Sequence, residues 1–209
     1  MLLSKRTIQF LLLLLILLPA VLTFGEDVQP TFQSIIDQSL IDGNALGQTQ
    51  GRIAVNMAAG NENVQANAAA MAISNGHASA TVSGMQSAEG NKANSPDIAI
   101  SRIGGNAFSN ASGSIAINQV SGQGNLQFNG LAIAVGDSAE AVSESELGGV
   151  NTEQKDSIVV NNSSTATREA TVEQTAFQGA RGIVQVNQLA GSRNATANNV
   201  ALKISLGSE

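Results

Sequence analysis

The decisive stretch is Gly113-Ser-Ile-Ala-Ile-Asn-Gln-Val-Ser-Gly-Gln-Gly-Asn-Leu-Gln-Phe-Asn, residues 113–129. Apolar side chains fall at Ile115 and Ile117, then again at Leu126 and Phe128. A period of two marks a half-buried strand, because successive strand side chains point to opposite faces. Gly122 and Gly124 separate the two runs, and glycine tolerates the positive φ of a tight turn. Further on, the apolar set moves to Leu131, Ile133 and Val135. That change of parity predicts a bend or bulge near Asn129–Gly130. The segment reads as strand, turn, strand, bend, strand.

The same pattern occurs three times. Segments 45–74, 107–136 and 176–205 align without a gap, anchored on Gly51, Gly113 and Gly182 at spacings of 62 and 69 residues. A second glycine column holds Gly60, Gly122 and Gly191. The apolar columns are Ile53, Ile115 and Val184, and Val55, Ile117 and Val186, with Phe108 and Phe177 matched by Leu46 in the first copy. Self-similarity at a fixed period identifies a repeat architecture. Ala-rich 66–72 has helical propensity, but the equivalent positions carry Phe128, Gly130, Asn199 and Val200, so strand is the reading for all three copies.

Asparagine is the informative oddity, since it is depleted in strands. Here it recurs inside the strand pattern at Asn56, Asn118 and Asn187, at Asn63, Asn125 and Asn194, and at Asn67, Asn129 and Asn198. Glutamine adds partial columns: Gln65 and Gln127, broken by Thr196, and Gln119 and Gln188, broken by Met57. A carboxamide both donates and accepts. Stacked at the inter-strand spacing of about 4.8 Å, identical amides form a ladder. One such bond is worth about 0.5–1.5 kcal/mol net, whereas a buried unpaired amide costs about 1–3 kcal/mol. In-register stacking of copy on copy satisfies every column at once, and a slip in register is penalised. These amides, with the two glycine columns and the apolar columns, are the candidate stacking residues.

Between the copies lie links 75–106 and 137–175. The second is acidic, with Asp137, Glu140, Glu144, Glu146, Glu153, Asp156, Glu169 and Glu173 against Lys155 and Arg168. Short strand-like runs at 97–101 and 156–160 suggest a weaker fourth strand in each unit. Residues 26–44 read as a poorly ordered leader and 206–209 as a tail.

Composition excludes several function classes. Only 12% of the 209 residues are charged, against about 25% in an average domain. There is no Cys, which excludes disulfides and thiol chemistry, and the single His, His77, sits in a link and reads as solvated. A formal charge of −6 argues against a nucleic-acid partner, which requires a basic surface. Gly47, Gly51 and Gly60 lack the lysine of a phosphate-binding loop. Phe32, Phe108, Phe128 and Phe177 are too few for the aromatic girdles of a membrane barrel. No cofactor, metal, catalytic residue or small-molecule substrate is expected, and the chain reads as a non-enzyme.

The N-terminus reads as an export signal. Lys5 and Arg6 precede an apolar core from Ile8 to Leu18, and Thr23 and Gly25 supply small residues for cleavage after Gly25. The exported chain, 26–209, then keeps 8 basic and 16 acidic residues, a charge of −8. Self-repulsion at that charge makes assembly faster with added salt or at acidic pH. The third copy carries Arg181, Arg193 and Lys203, and is expected to be the poorest stacker.

The segments at 51–73 and 113–129 resemble the repeats of the Fap-type bacterial functional amyloids, as does the order of export signal, three repeats and variable links. The resemblance implies export across both membranes of a Gram-negative cell by dedicated secretion machinery and an outer-membrane pore. It also implies assembly with itself and related fibril subunits into extracellular fibrils of the biofilm matrix. Subunits of that family often carry a Cys-x-x-Cys near the C-terminus, which this chain lacks. The expected fold is all-β, with stacked strand-turn-strand layers, solenoid-like in the chain and cross-β in the fibril, joined by flexible links. The alternative function is a monomeric secreted adhesin of solenoid or sandwich form.

Overall fold

The computed structural model describes residues 34–87, 96–148 and 166–207. Every regular element among them is a strand: β1 (Ile36–Ile41), β2 (Gln50–Ala59), β3 (Val64–Ile73), β4 (His77–Ser87), β5 (Ile98–Ile103), β6 (Ser112–Ser121), β7 (Leu126–Gly136), β8 (Ser138–Gly148), β9 (Thr167–Val172), β10 (Arg181–Ala190) and β11 (Ala195–Ser205). They form three layers, β1–β4, β5–β8 and β9–β11. Equivalent strands of successive layers pair in parallel, giving sheets β1-β5-β9, β2-β6-β10, β3-β7-β11 and β4-β8. Register is continuous: Asn56 lies against Asn118 and Asn118 against Asn187, and Asn67, Asn129 and Asn198 align likewise. The fold is therefore the all-β, layered repeat read from sequence.

Within a layer the chain folds back on itself through side chains, not through a backbone ladder. The second and third strands of each layer face one another as the two arms of an arch. Asn67 Nδ2, for example, donates across the arch to the Val55 carbonyl at 2.9 Å. Two apolar clusters flank this arch. One joins Ile41, Ile103, Phe108, Ile115 and Ile117 between the first and second sheets. The other joins Ala78, Ala80, Val82, Phe128, Ala132 and Ala134 between the third and fourth. The small side chains of the second cluster suit close sheet packing, and Gly84 completes the fit: a Cβ there would lie 2.3 Å from the Phe128 ring.

Three sequence expectations are revised. First, β7 runs unbroken through Asn129–Gly130. The parity changes because the strand is covered on both faces: Gln127 and Asn129 point to β6, while Phe128, Ala132 and Ala134 pack toward β4 and β8. Second, the leader and links hold five strands, β1, β4, β5, β8 and β9. Their residue types differ between layers (Ser79 faces Glu140, for example), so identity alone hides them although the backbone ladder is maintained. Third, the run at 97–101 pairs with β1 and β9 at the repeat spacing, Ile98 facing Ile36 and Thr167. The proposed partner run at 156–160 lies outside the described residues.

Candidate assembly site: the amide columns and the end layers

The Asn columns meet inside the arch. Asn118 Nδ2 donates to Asn56 Oδ1 at 3.0 Å, and Asn187 Nδ2 to Asn118 Oδ1 at 3.0 Å. On the facing arm Asn129 Nδ2 donates to Asn67 Oδ1 at 2.9 Å, and Asn198 Nδ2 to Asn129 Oδ1 at 3.0 Å. Cross-links join the two ladders, Asn129 to Asn118 at 3.0 Å and Asn198 to Asn187 at 2.9 Å. A third ladder lines the turn, Asn125 Nδ2 to Asn63 Oδ1 at 2.9 Å and Asn194 Nδ2 to Asn125 Oδ1 at 3.0 Å. In all three, the later layer donates to the earlier one.

The glutamine columns are interrupted where the sequence departs. Gln65 donates to Gln127 Oε1 at 2.5 Å, and in the third layer the Thr196 hydroxyl is buried with no hydrogen-bond partner among the described residues. Gln188 donates to Gln119 Oε1 at 3.0 Å, while Gln119 itself reaches the Ser39 and Arg102 carbonyls at 3.0 and 2.9 Å. Phe108 and Phe177 stack with ring centroids 5.0 Å apart and planes 5° from parallel.

The glycine columns are places of close backbone approach. Gly113 has φ +120°, and a Cβ there would lie 2.1 Å from the Gly51 carbonyl oxygen; at Gly182 it would lie 2.0 Å from that of Gly113. The second column nests in the opposite direction, Gly60 toward Gly122 and Gly122 toward Gly191, at 2.0 and 1.7 Å. At the two ends of the molecule this crowding stops. A Cβ on Gly51 meets nothing within 4 Å, and one on Gly191 meets only side-chain atoms of Asn194 and Arg168, at 3.6 Å and beyond.

Burial follows the layer, not the residue type. Ile115 of the middle layer is 0% exposed, Ile53 of the first 8% and Val184 of the third 42%. Asn118, Asn125, Gln127 and Asn129 are all fully buried, whereas Asn56 is exposed. Ile73 and Ile204, at the two ends of one column, are 72% and 42% exposed. Each end layer presents an unpaired parallel ladder, and most of its column residues are more exposed than their middle-layer equivalents, although Ile53 and Asn187 stay buried.

Residues upstream of the aligned repeats also contribute, and sequence reading missed them. Ser121 Oγ donates to Ser39 Oγ at 3.0 Å, and Ser39 Oγ to Ser101 Oγ at 3.3 Å, in a buried hydroxyl cluster. Arg102 of the middle layer pairs with Glu173 of the third through Nε at 2.9 Å and through Nη2. The Gly105 N–H donates to Glu173 Oε2 at 2.8 Å. That backbone bond, with Arg102, holds the Glu173 carboxyl below the ordinary carboxylate range. Burial pushes Asp37 upward, against the pull of Arg168, and Asp37 Oδ2 has no hydrogen-bond partner among the described residues. The available signal was the spacing of 62 residues itself, which also relates Ile36 to Ile98 and Ile41 to Ile103.

Comparison with known proteins places this geometry. The family model for the functional amyloid protein FapB/FapC family matches residues 21–205. The chain belongs to the FapB/FapC family. A curated relative, the functional amyloid subunit FapC of Pseudomonas aeruginosa, is 38% identical over 96 residues, which cover 44% of this chain and 28% of that protein. The match thus spans little more than a quarter of the relative's length. No solved structure matches the chain.

Proposed function

We propose that the chain is an exported structural subunit whose copies stack, layer upon layer, into extracellular functional amyloid fibrils that strengthen the biofilm matrix and support surface adhesion. The observation that carries this reading is the contrast between middle and end layers. Sandwiched on both sides, the middle layer has fully buried ladder amides. Each end layer pairs on one side only, and Asn56, Asn67 and Asn198 there are partly or fully exposed. Exposed strand ladders invite edge pairing, and a head-to-tail contact that does not close on itself generates an open filament. Stacking one copy's first layer on another's third repeats the internal contact and turns two end layers into middle ones.

Export follows the N-terminal signal read from sequence, with cleavage near Gly25, and dedicated secretion machinery, an outer-membrane pore and related fibril subunits are the proposed partners. The test is quiescent incubation of residues 26–209 at micromolar concentration, followed by thioflavin fluorescence and fibre diffraction. A lag phase ending in filaments, with reflections at about 4.7 and 10 Å, supports the reading. Folded monomer that stays in solution even with seeds refutes it and favours the adhesin alternative.

A further inference from the structure

We propose that two charged columns fix the polarity and register of stacking: in the fibril, Asp37 of one copy sits on Arg168 of the next, and Glu62 sits on Arg193. This rests on the fibril reading above and adds to it which end meets which, and through which side chains.

The first column is Asp37, Ala99 and Arg168, aligned by the β1-β5-β9 register. Side-chain geometry agrees with the register. Asp37 Oδ2 lies 2.7 Å from where a Cβ on Gly60 would stand, and Arg168 Cδ and Nε lie 3.7 and 3.9 Å from the equivalent point on Gly191. Both therefore occupy the same slot beneath the same glycine turn of their layers. The second column is Glu62, Gly124 and Arg193, with φ of 59°, 64° and 60°. Backbone bonds from Gly124 N to Asn61 O at 3.0 Å and from Arg193 N to Gln123 O at 2.9 Å place these turns one above another.

In both columns the acid belongs to the first layer, the arginine to the third and the smallest side chains, Ala and Gly, to the middle. Inside one chain the two charges are two layers apart, about 9.6 Å by strand spacing; head-to-tail stacking brings them to one layer, about 4.8 Å. Head-to-head or tail-to-tail contact would break the parallel register and press together two faces of like net charge. The whole layers agree. Residues 34–87 carry Asp37, Asp42 and Glu62 against Arg52, a net −2; residues 166–207 carry Arg168, Arg181, Arg193 and Lys203 against Glu169 and Glu173, a net +2.

One column runs against the others, since Asp42 falls over Glu173, but Glu173 is already neutralised by Arg102 of its own chain. Asp37 Oδ2 has no hydrogen-bond partner among the described residues, and Arg168 of the same chain donates to the Pro96, Asp97 and Thr167 carbonyls rather than to it. The Asn ladders have the same polarity. Each later layer donates to the earlier one, so Asn187 and Asn198 of the third layer keep Oδ1 acceptors toward the next copy's Asn56 and Asn67. The cations of the third copy, read from sequence as a weakness in stacking, become half of the interlock.

Two charge-swap variants test this, D37R/E62R and R168D/R193E. Each new side chain enters a slot whose equivalent already holds that residue or that charge. Each variant alone places like charges in both columns, and its elongation rate falls by about tenfold or more. An equimolar mixture restores both columns at every interface and regains the wild-type rate, the two variants alternating along the fibril. D37N/E62Q keeps side-chain volume. It elongates more slowly than wild type at low salt and equally fast at about 1 M salt, where the screening length is about 3 Å. Single variants that elongate at the wild-type rate, or a mixture no faster than its components, overturn the proposal. Failure of the wild-type chain to form fibrils in the same assay would instead overturn the fibril reading.

Discussion

Replacing Gly51 and replacing Gly113 by alanine should have opposite consequences for the monomer and the fibril. The two glycines are equivalent, with φ +101° and +120°, so each alanine carries a similar backbone strain of about 1–2 kcal/mol. The surroundings differ. The added methyl at Gly113 would stand 2.1 Å from the Gly51 oxygen, whereas an ordinary C···O approach is about 3.3 Å. The strands must part there by about 1 Å, which takes the flanking N–H···O bonds out of range and costs about 2 kcal/mol for two of them. Gly113→Ala should therefore lower monomer stability by about 3–4 kcal/mol. At Gly51 the methyl meets nothing in the single chain, and the monomer loses the strain term alone. In a stack, however, that methyl points at the Gly182 carbonyl of the adjoining copy, by the geometry that relates Gly113 to Gly51. The same 2 kcal/mol then falls on the intermolecular contact and raises the soluble concentration at plateau about 30-fold. Urea unfolding of monomer and sedimentation of plateau mixtures measure the two quantities. A Gly51→Ala chain with a wild-type plateau concentration would show that no copy stacks on this face in the proposed register.

Further outcomes are expected of single side chains. Asn118→Ala leaves the Asn187 and Asn129 amides without one of their acceptors in a buried setting and should destabilise the monomer by about 1–3 kcal/mol in urea unfolding, more than Asn56→Ala at the open end. Thr196→Val removes a buried hydroxyl without a partner and should raise stability by about 1 kcal/mol in the same assay. The lowered Glu173 pKa stabilises the fold above the unfolded value of 4.5, and this is lost as pH falls through the folded value. Glu173→Gln should therefore flatten the acid limb of a stability–pH curve. The raised Asp37 pKa acts in the opposite sense: the carboxylate costs stability at neutral pH, and protonation relieves it. Asp37→Asn monomer should thus be more stable than wild type at pH 7, the difference vanishing below the unfolded value of 3.8.

The parts of this molecule legible in its sequence are those where chemistry repeats. Asn118 needs an amide above and below it, so Asn56 and Asn187 recur at fixed spacing and announce the register. Gly113 and Gly122 recur because neighbouring layers nest too closely for a Cβ. On the exposed face of a strand, where only the backbone ladder must be kept, residue identity is free to drift. β4 and β8 pair along their length although Thr81 meets Val142 and Met85 meets Glu146, and the eye takes them for links. The bend inferred at Asn129–Gly130 fails for a related reason. Alternation assumes one apolar face, and β7 has an amide face toward β6 and an alanine face toward β8. The charged columns were hidden because their meaning lies between the first and third copies, across a middle copy that carries Ala99 and Gly124.

Among the described residues the fourth sheet has two strands where the others have three. Glu140, Glu144 and Glu146 of β8 point to solvent, and the first-layer residues beneath them are Ser79, Ser83 and Met85. In a head-to-tail fibril each glutamate recurs once per chain, every three layers, or about 14 Å along the axis. That exceeds the screening length of about 8 Å at physiological ionic strength. The flank of such a filament would be a dashed line of negative charge, in which the glutamates of successive subunits are screened from one another.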